Sequence, residues 1–251
     1  MKLSHLFEDI DLTLQKDDVH YKKLIKTIKF LEKRKKILIL TTSNRGGWAE
    51  KELKEEPKST KLAKAIQDFI GKNKVTLIEV PDLKIYTCEA NVSHMDGNQC
   101  GLKKASLDDK EKNPTGQHRC WRNINNPDDE LWKISKSLFE SDTVLFFGSI
   151  RWGQMNAVYQ NLIERLTWLE NRHSTLGESN LLKDISCGII AIGQNWNGEN
   201  VVDTQKKVLS FFGFDVKDEL SWNWQFTKNP NDESKESYKQ SGKDFLKTFE
   251  L

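Results

Sequence analysis

Three short segments of this 251-residue chain carry the side chains best suited to holding a ligand, and each directly follows a short apolar run. The first is Thr41-Thr42-Ser43-Asn44-Arg45-Gly46-Gly47, with Ser59-Thr60 opening a helical pattern further on. Hydroxyls, a guanidinium and the backbone N–H groups of a helix start attract a phosphate. The same residues also suit an ordinary turn with Ser59 as helix N-cap. The segment is neither a GxxxxGK[ST] loop nor a GxGxxG turn, which weakens a nucleoside-triphosphate or dinucleotide reading. The second segment, Gly148-Ser149-Ile150-Arg151-Trp152-Gly153-Gln154-Met155-Asn156-Ala157, sets an arginine and a tryptophan before a long amphipathic pattern. It offers a wall and a polar edge to a flat ligand, or a core aromatic in Trp152. The third, Gly193-Gln194-Asn195-Trp196-Asn197-Gly198-Glu199-Asn200, is rich in amides. Such side chains read ring heteroatoms, and they are also common turn formers. Together the three describe a site for a mononucleotide bearing a planar ring.

The elements that must position these segments follow from periodicity. Four compact apolar runs, Ile37–Leu40, Val75–Val80, Val144–Gly148 and Cys187–Ile192, read as buried strands. Helical patterns at Lys61–Ile70, Asp128–Phe139, Met155–Asn171 and Val201–Phe212 lie between or after them. That alternation predicts βαβ units in a doubly wound α/β sheet. A fifth strand is expected at Phe214–Trp222 and a C-terminal helix around Glu233–Phe249. In such sheets ligands bind outside the carboxyl ends of the strands, which is where all three segments fall. Residues 1–35 read as an N-terminal helical extension, with Leu24, Ile25, Ile28 and Leu31 flanked by Lys22, Lys23, Lys26 and Lys29. The run Lys33-Arg34-Lys35-Lys36 is taken as a solvated entry to the first strand rather than a targeting or nucleic-acid patch. Residues 36–251 then form the main domain. Two stretches fit no regular unit: the charged insertion Glu50–Lys58 and residues 81–127. Loops beyond about 15 residues are usually functional or disordered. The second holds Cys88, Cys100, Cys120, His94, His118 and Trp121, so it is expected to be a structured excursion over the functional edge.

At this point a family resemblance enters. Lys36–Arg45 with Ser59–Ala63 resembles the Ser-x-Arg…Asn/Ser-Thr phosphate loop of the NADPH-dependent FMN reductase and flavodoxin-like reductase superfamily. Gly148–Ala157, followed by Leu162-Ile163-Glu164-Arg165, is similar to its second loop, G-[ST]-P-x-Y-[WF]-G-x-[MP]-S-A and a helix ending in I-D-R. Asn44 and Ile150 stand where the loops usually carry proline, the first loop is split by the insertion, and the second is one residue shorter. The resemblance implies a flavodoxin-like sheet of five parallel strands in the order 2-1-3-4-5. It also implies non-covalent FMN and electron transfer from NADPH or NADH to flavin, quinone or another small acceptor. Carried over by position, Ser43, Arg45, Ser59 and Thr60 would hold the FMN phosphate. Ser149, Arg151, Trp152, Gly153, Gln154 and Met155 would line the ring and ribityl chain, with Gly193 and Gln194 in a third contact loop. A homodimer or higher homo-oligomer is implied as well, with part of the helix after the second loop as a contact. No general base is assigned, because the cofactor carries hydride chemistry.

Iron–sulfur members of the superfamily place a compact cysteine motif in the corresponding long loop. Here Cys88, Cys100, His118 and Cys120 are spaced C-x11-C-x17-H-x-C, without a close pair. Thiolates and imidazole suit zinc or iron; a reversible thiol pair and inert packing are the other readings, and packing is favoured. Cys187 lies inside a predicted strand. Charge nearly cancels, with 39 Lys+Arg against 37 Asp+Glu. That disfavours a nucleic-acid binder and a carrier steered onto basic partners. No apolar stretch is long enough to span a membrane, and Glu8, Asp9 and Asp11 interrupt any signal-peptide core, so a cytoplasmic protein is expected. Two other functions stay open: an FMN-binding electron carrier without strong NAD(P)H oxidation, and a metal-binding module built on the Cys/His loop.

Overall fold

Residues 37–41 show why the chain folds as it does: Ile37, Leu38, Ile39, Leu40 and Thr41 are all buried, though alternate side chains point to opposite faces. A strand apolar on both faces must be covered on both. The computed structural model describes residues 19–44, 56–193, 196–225, 229, 231–249 and 251. In chain order the elements are α1 (Val19–Leu31), β1 (Ile37–Thr41), α2 (Lys58–Ile70), β2 (Val75–Glu79) and α3 (Trp121–Asn125). Next come α4 (Leu131–Phe139), β3 (Thr143–Arg151), β4 (Gln154–Met155), α5 (Ala157–Ser174) and β5 (Ser186–Gly193). The chain closes with α6 (Gly198–Phe211), β6 (Asp215–Val216), β7 (Trp222–Gln225) and α7 (Lys235–Phe249).

The sheet runs β2-β1-β3-β5-β6, with β7 also on β5. Its long pairings are parallel: Ile37 opposite both Val75 and Thr143, and Thr143 opposite Ser186. Counting β6 and β7 as one interrupted strand, the order is the flavodoxin-like 2-1-3-4-5, whose direction reverses between β1 and β3. The fold is therefore flavodoxin-like, as the resemblance implies. On one face Leu38, Leu40, Val144 and Phe146 pack with α4, α5 and α6. On the other, Ile37, Ile39, Leu145 and Phe147 pack with α1, α2 and α7. Helix α1 contributes Tyr21, Leu24, Ile28 and Leu31 to that second core.

Two expectations are corrected. The fifth strand is not continuous over Phe214–Trp222; a turn at Asp218–Leu220 splits it, and Trp222–Gln225 resumes pairing with β5. The split follows from Gly188, where an added Cβ would run into Leu220, so the turn tucks that leucine against the strand. The third strand does not stop at Gly148 but extends to Arg151 and turns back as β4. The second of the three segments is thus a β-hairpin rather than an open loop.

The excursion after β2 is ordered. Short 3-10 turns at Val80–Asp82, Asn91–Ser93 and Lys103–Ala105 and helix α3 punctuate it. It is fastened to α5 through Asn161, Arg165, Trp168 and Arg172, spaced four, three and four apart and hence on one helix face. Asn161 donates to the carbonyls of Ile85 and Tyr86, both at 3.4 Å. Arg172 donates to Gln117 O at 2.9 Å and to Glu178, which Arg119 also contacts. Trp168 lies 5.1 Å from the His118 ring. The helix therefore serves two masters, the sheet through Leu162, Leu166 and Leu169 and the excursion through its polar stripe.

Candidate functional site

Strand β1 ends in Thr41, and Thr42 keeps pairing beyond it, its N–H donating to Phe147 O at 2.8 Å. This delivers Ser43 to the first turn of α2, where the Ser59 hydroxyl donates to Ser43 Oγ at 2.6 Å. Ser43, Ser59 and Thr60 are all buried. Helix α2 begins after Pro57, which supplies no side-chain cap. Its first-turn N–H groups therefore face the hydroxyl pair without competition from an N-cap side chain, at the positive end of the helix dipole. Helix and hydroxyls sit at the β1/β3 reversal. Arg45, expected beside them, lies outside the described residues, as does most of the insertion at 50–58.

The second segment is tied to the first by Asn156. Its Nδ2 donates to Thr42 O at 2.7 Å, while its Oδ1 accepts from the Thr42 hydroxyl at 3.1 Å and from Ser149 N–H at 3.2 Å. Gly148 makes this closeness possible: an added Cβ would strike Met155 Cε and sit 2.9 Å from Thr42 Oγ1. Beyond Ser149 the hairpin closes in two residues, with Arg151 opposite Gln154. Trp152 and Gly153 both have positive φ, 51° and 68°, the requirement of a type I′ turn. For tryptophan that conformation costs energy, of order 1–3 kcal/mol, and such strain clusters at functional sites. The Trp152 side chain is 88% exposed.

The third segment closes against the hairpin. Trp196 covers Gly153, where a Cβ would come within 3.0–3.3 Å of its ring. Asn197, at φ 75°, donates from Nδ2 to Gly153 O at 3.0 Å and opens α6. Gly193 lets β5 pass Ile150, 2.8 Å from where its Cβ would sit. Gln194 lies outside the described residues.

Of the residues expected at the site, Ser43, Ser59 and Thr60 are gathered at one turn. Ser149 is joined to that turn through Asn156, and Gly153 meets the third segment. Arg151, Trp152 and Gln154 are exposed on the hairpin. Met155 is 3% exposed and packs inward, because in a two-residue hairpin Gln154 and Met155 must point to opposite faces. Asn156 and Asn197, the side chains that lock the segments together, were not among the expected contacts. Their signal was an amide immediately before each helix, a position sequence reasoning treats as a cap.

The Cys/His residues of the excursion divide differently. His118 is buried, with Nδ1 2.7 Å from Ser135 Oγ and Nε2 2.9 Å from Asn123 Oδ1. Both ring nitrogens are thus engaged, and burial lowers its pKa to about 4. Burial, reinforced by Cys120 and Cys88, pushes the Cys100 thiol up to about 12, and burial also raises Cys120 despite the nearby Arg165. All four cysteines are free thiols. Among the described residues no group of three or more His, Cys, Asp or Glu has the arrangement of a metal site. Trp121, another aromatic of the excursion, donates its indole N–H to Gln99 O at 2.9 Å. No described helix is long and apolar enough to cross a membrane.

Neither a family model nor a curated protein matches the chain. Solved structures similar to it include the Trp repressor binding protein of Bacillus subtilis, at 14% identity and TM-score 0.42, covering 86% of this chain and 99% of that one. FerB, a flavoenzyme NAD(P)H:(acceptor) oxidoreductase of Paracoccus denitrificans, is similar at 14% identity and TM-score 0.43, covering 86% and 97%. RosB, solved with a bound 8-demethyl-8-formylriboflavin-5'-phosphate intermediate, is similar at 15% identity and TM-score 0.48 over 75% of this chain, which spans 64% of the RosB chain. With TM-scores below 0.5, these likenesses assign no role to any residue here.

Proposed function

We propose that the protein is an FMN-dependent oxidoreductase that takes electrons from NADH or NADPH and passes them to a small acceptor such as a flavin or quinone. The observation that carries this reading is the joining of three segments at the carboxyl edge of β1, β3 and β5, with Asn156 and Asn197 as the links. A phosphate suits the Ser43–Ser59 hydroxyl pair and the uncapped start of α2, where N–H dipoles and two hydroxyls converge. The residues present thus fit a phosphate-bearing group, with Arg45 as the candidate counter-charge. The flat part of such a group would meet the hairpin, where Trp152 offers an exposed ring face and Arg151 and Gln154 polar edges.

FMN held there would supply hydride and electron-transfer chemistry between a reduced nicotinamide and a small acceptor. The chain's own residues would then bind and orient. Ser43, Ser59 and Thr60 fix the phosphate end, and the rigid hairpin fixes the ring end. Trp152 and Trp196 shield the ring from water on their side. Arg151 would sit close enough to the ring to favour added negative charge. The near-zero net charge suits small redox substrates better than docking onto a charged protein partner.

The test is reconstitution. Apoprotein titrated with FMN should quench flavin fluorescence at one equivalent, and Ser43→Ala with Ser59→Ala should weaken that binding by about tenfold or more. Steady-state NADPH oxidation with a quinone then separates an enzyme from an electron carrier. A chain that binds no FMN at any concentration refutes the proposal.

A further inference from the structure

Charge nearly cancels over the whole chain but not along it. Residues 19–36 carry eight Lys and Arg against one acid, Glu32, and the rest of the chain carries 31 Lys+Arg against 36 Asp+Glu. The excess points one way. Tyr21, Leu24, Ile28 and Leu31 turn into the core, so the helical period sets Lys22, Lys26, Lys29 and Lys33 in a row on the opposite side. All four are exposed, with Lys33 just past the last turn. Among the described residues no carboxylate lies within ion-pair distance of Lys26, Lys29 or Lys33.

The fold holds this row outward. The Thr27 hydroxyl donates to Glu219 O at 2.6 Å and accepts from the Trp222 indole N–H at 3.0 Å, which fixes α1 about its axis. Arg34, beyond the helix, donates to Ser186 Oγ and covers the Phe30 ring at 4.7 Å. The outward cations of α1 are thus lysines. Helix α7 lies in the same layer and adds exposed Lys239, Lys243 and Lys247, with Glu236 as its exposed carboxylate. Two aliphatic side chains of these helices also face solvent, Val19 at 59% and Leu246 at 40% exposure. The carboxylates of α6, Glu199 and Asp203, belong to the layer on the other face of the sheet.

We infer that this face attaches the protein to an anionic lipid bilayer, with the lysine row of α1 against the headgroups. The row spans about 16 Å of helix axis, against a Debye length of about 8 Å at physiological salt. A flat anionic surface therefore feels the near lysines, while the compensating acids on the far side of the molecule are screened. Lysine is a point charge on a flexible stem and suits a diffuse layer of anions. Fixed recognition of single phosphates favours the planar fork of arginine. Exposed aliphatic side chains beside lysines suit the boundary between headgroups and acyl chains. A nucleic acid would call for stacking rings, and on α1 Tyr21 is buried and Phe30 covered. With the apolar side of α1 committed to the core, the attachment is electrostatic and reversible. It stands apart from the oxidoreductase reading and does not depend on it.

Sedimentation of the full chain with lipid vesicles is the direct test. The protein should pellet with phosphatidylcholine vesicles that contain phosphatidylserine, should stay in solution with phosphatidylcholine alone, and should be released as salt rises. The triple variant Lys26→Gln, Lys29→Gln, Lys33→Gln, altered only at exposed positions, should bind about a hundredfold more weakly and melt at the same temperature. The matching triple Arg variant, which keeps the charge, should bind as the wild type does. Absence of binding to the phosphatidylserine vesicles, or equal binding by the Gln variant, overturns the inference. So does lysine-dependent binding to a single-stranded DNA oligonucleotide that is tighter than binding to the vesicles, since the row would then serve a nucleic acid.

Discussion

The Arg165 guanidinium on α5 holds the Asp129 carboxylate through two hydrogen bonds, 2.6 and 3.1 Å long, with both side chains fully shielded from solvent. The same arginine donates to Tyr86 O at 2.7 Å, and Asp129 accepts from the N–H groups of Tyr86 and Leu131. One pair thus closes both ends of the 81–127 excursion onto the helix that leaves the hairpin. A buried charge stripped of its partner costs about 3–5 kcal/mol. Urea unfolding of Arg165→Met should show a loss of that order. Replacing both partners, Arg165→Met with Asp129→Leu, should recover part of it, because no charge is then left buried. Equal losses in the single and double variants would contradict this account.

His118 supplies a pH dependence. Burial, helped by the charge of Arg165, lowers its pKa from 6.5 to about 4. Between those values the unfolded chain binds a proton that the folded chain refuses. Stability from this group is therefore complete above pH 6.5 and declines as pH falls toward 4, by about 3 kcal/mol in all. His118→Gln should be less stable at pH 7 yet lack this part of the acid slope. Parallel slopes for the two proteins between pH 7 and 4.5 would count against it.

Trp152 sets conformational strain against the proposed ligand contact. Trp152→Asn creates the Asn-Gly pair that type I′ turns favour. Since the tryptophan is 88% exposed, little burial is lost, and thermal unfolding should show a gain of about 1 kcal/mol. FMN affinity should fall in the same variant. A variant that is less stable, or that binds FMN unchanged, would show that the ring has a packing role instead.

Two thiols should be slow, Cys100 in the excursion and Cys187 in β5. With Cys100 raised to about 12 and Cys187 wholly buried, iodoacetamide at pH 8 should leave both unlabelled in native protein and label them in urea. Mass spectrometry of the peptides reads this directly. Rapid native labelling of Cys100 would revive the redox reading of the loop.

The strand positions were legible because a buried parallel strand announces itself as a short unbroken apolar run. Ile37–Leu40 became Ile37–Thr41, and Cys187–Ile192 became Ser186–Gly193. The meeting of Ser43 with Ser59 was legible from hydroxyls beside a helix start. The hairpin was not, because Gly148-Ser149-Ile150-Arg151 lacks the continuous apolar character of the strand it extends, and the turn pair Trp152-Gly153 is unusual. The polar stripe Asn161, Arg165, Arg172 on α5 was also missed, since charged residues at helical spacing ordinarily mark a solvated face.

By itself the sequence determined the alternation of strands and helices, and with it the edge at which the three polar segments collect. Those features rest on side-chain periodicity over a few residues. Which side chains lock together was decided only by the tertiary structure. Thr42 and Asn156 are 114 residues apart, and Asp129 and Arg165 are 36 apart. Each pair is joined only once parallel crossovers have set β1 beside β3 and laid the excursion on α5, and no local pattern encodes that adjacency.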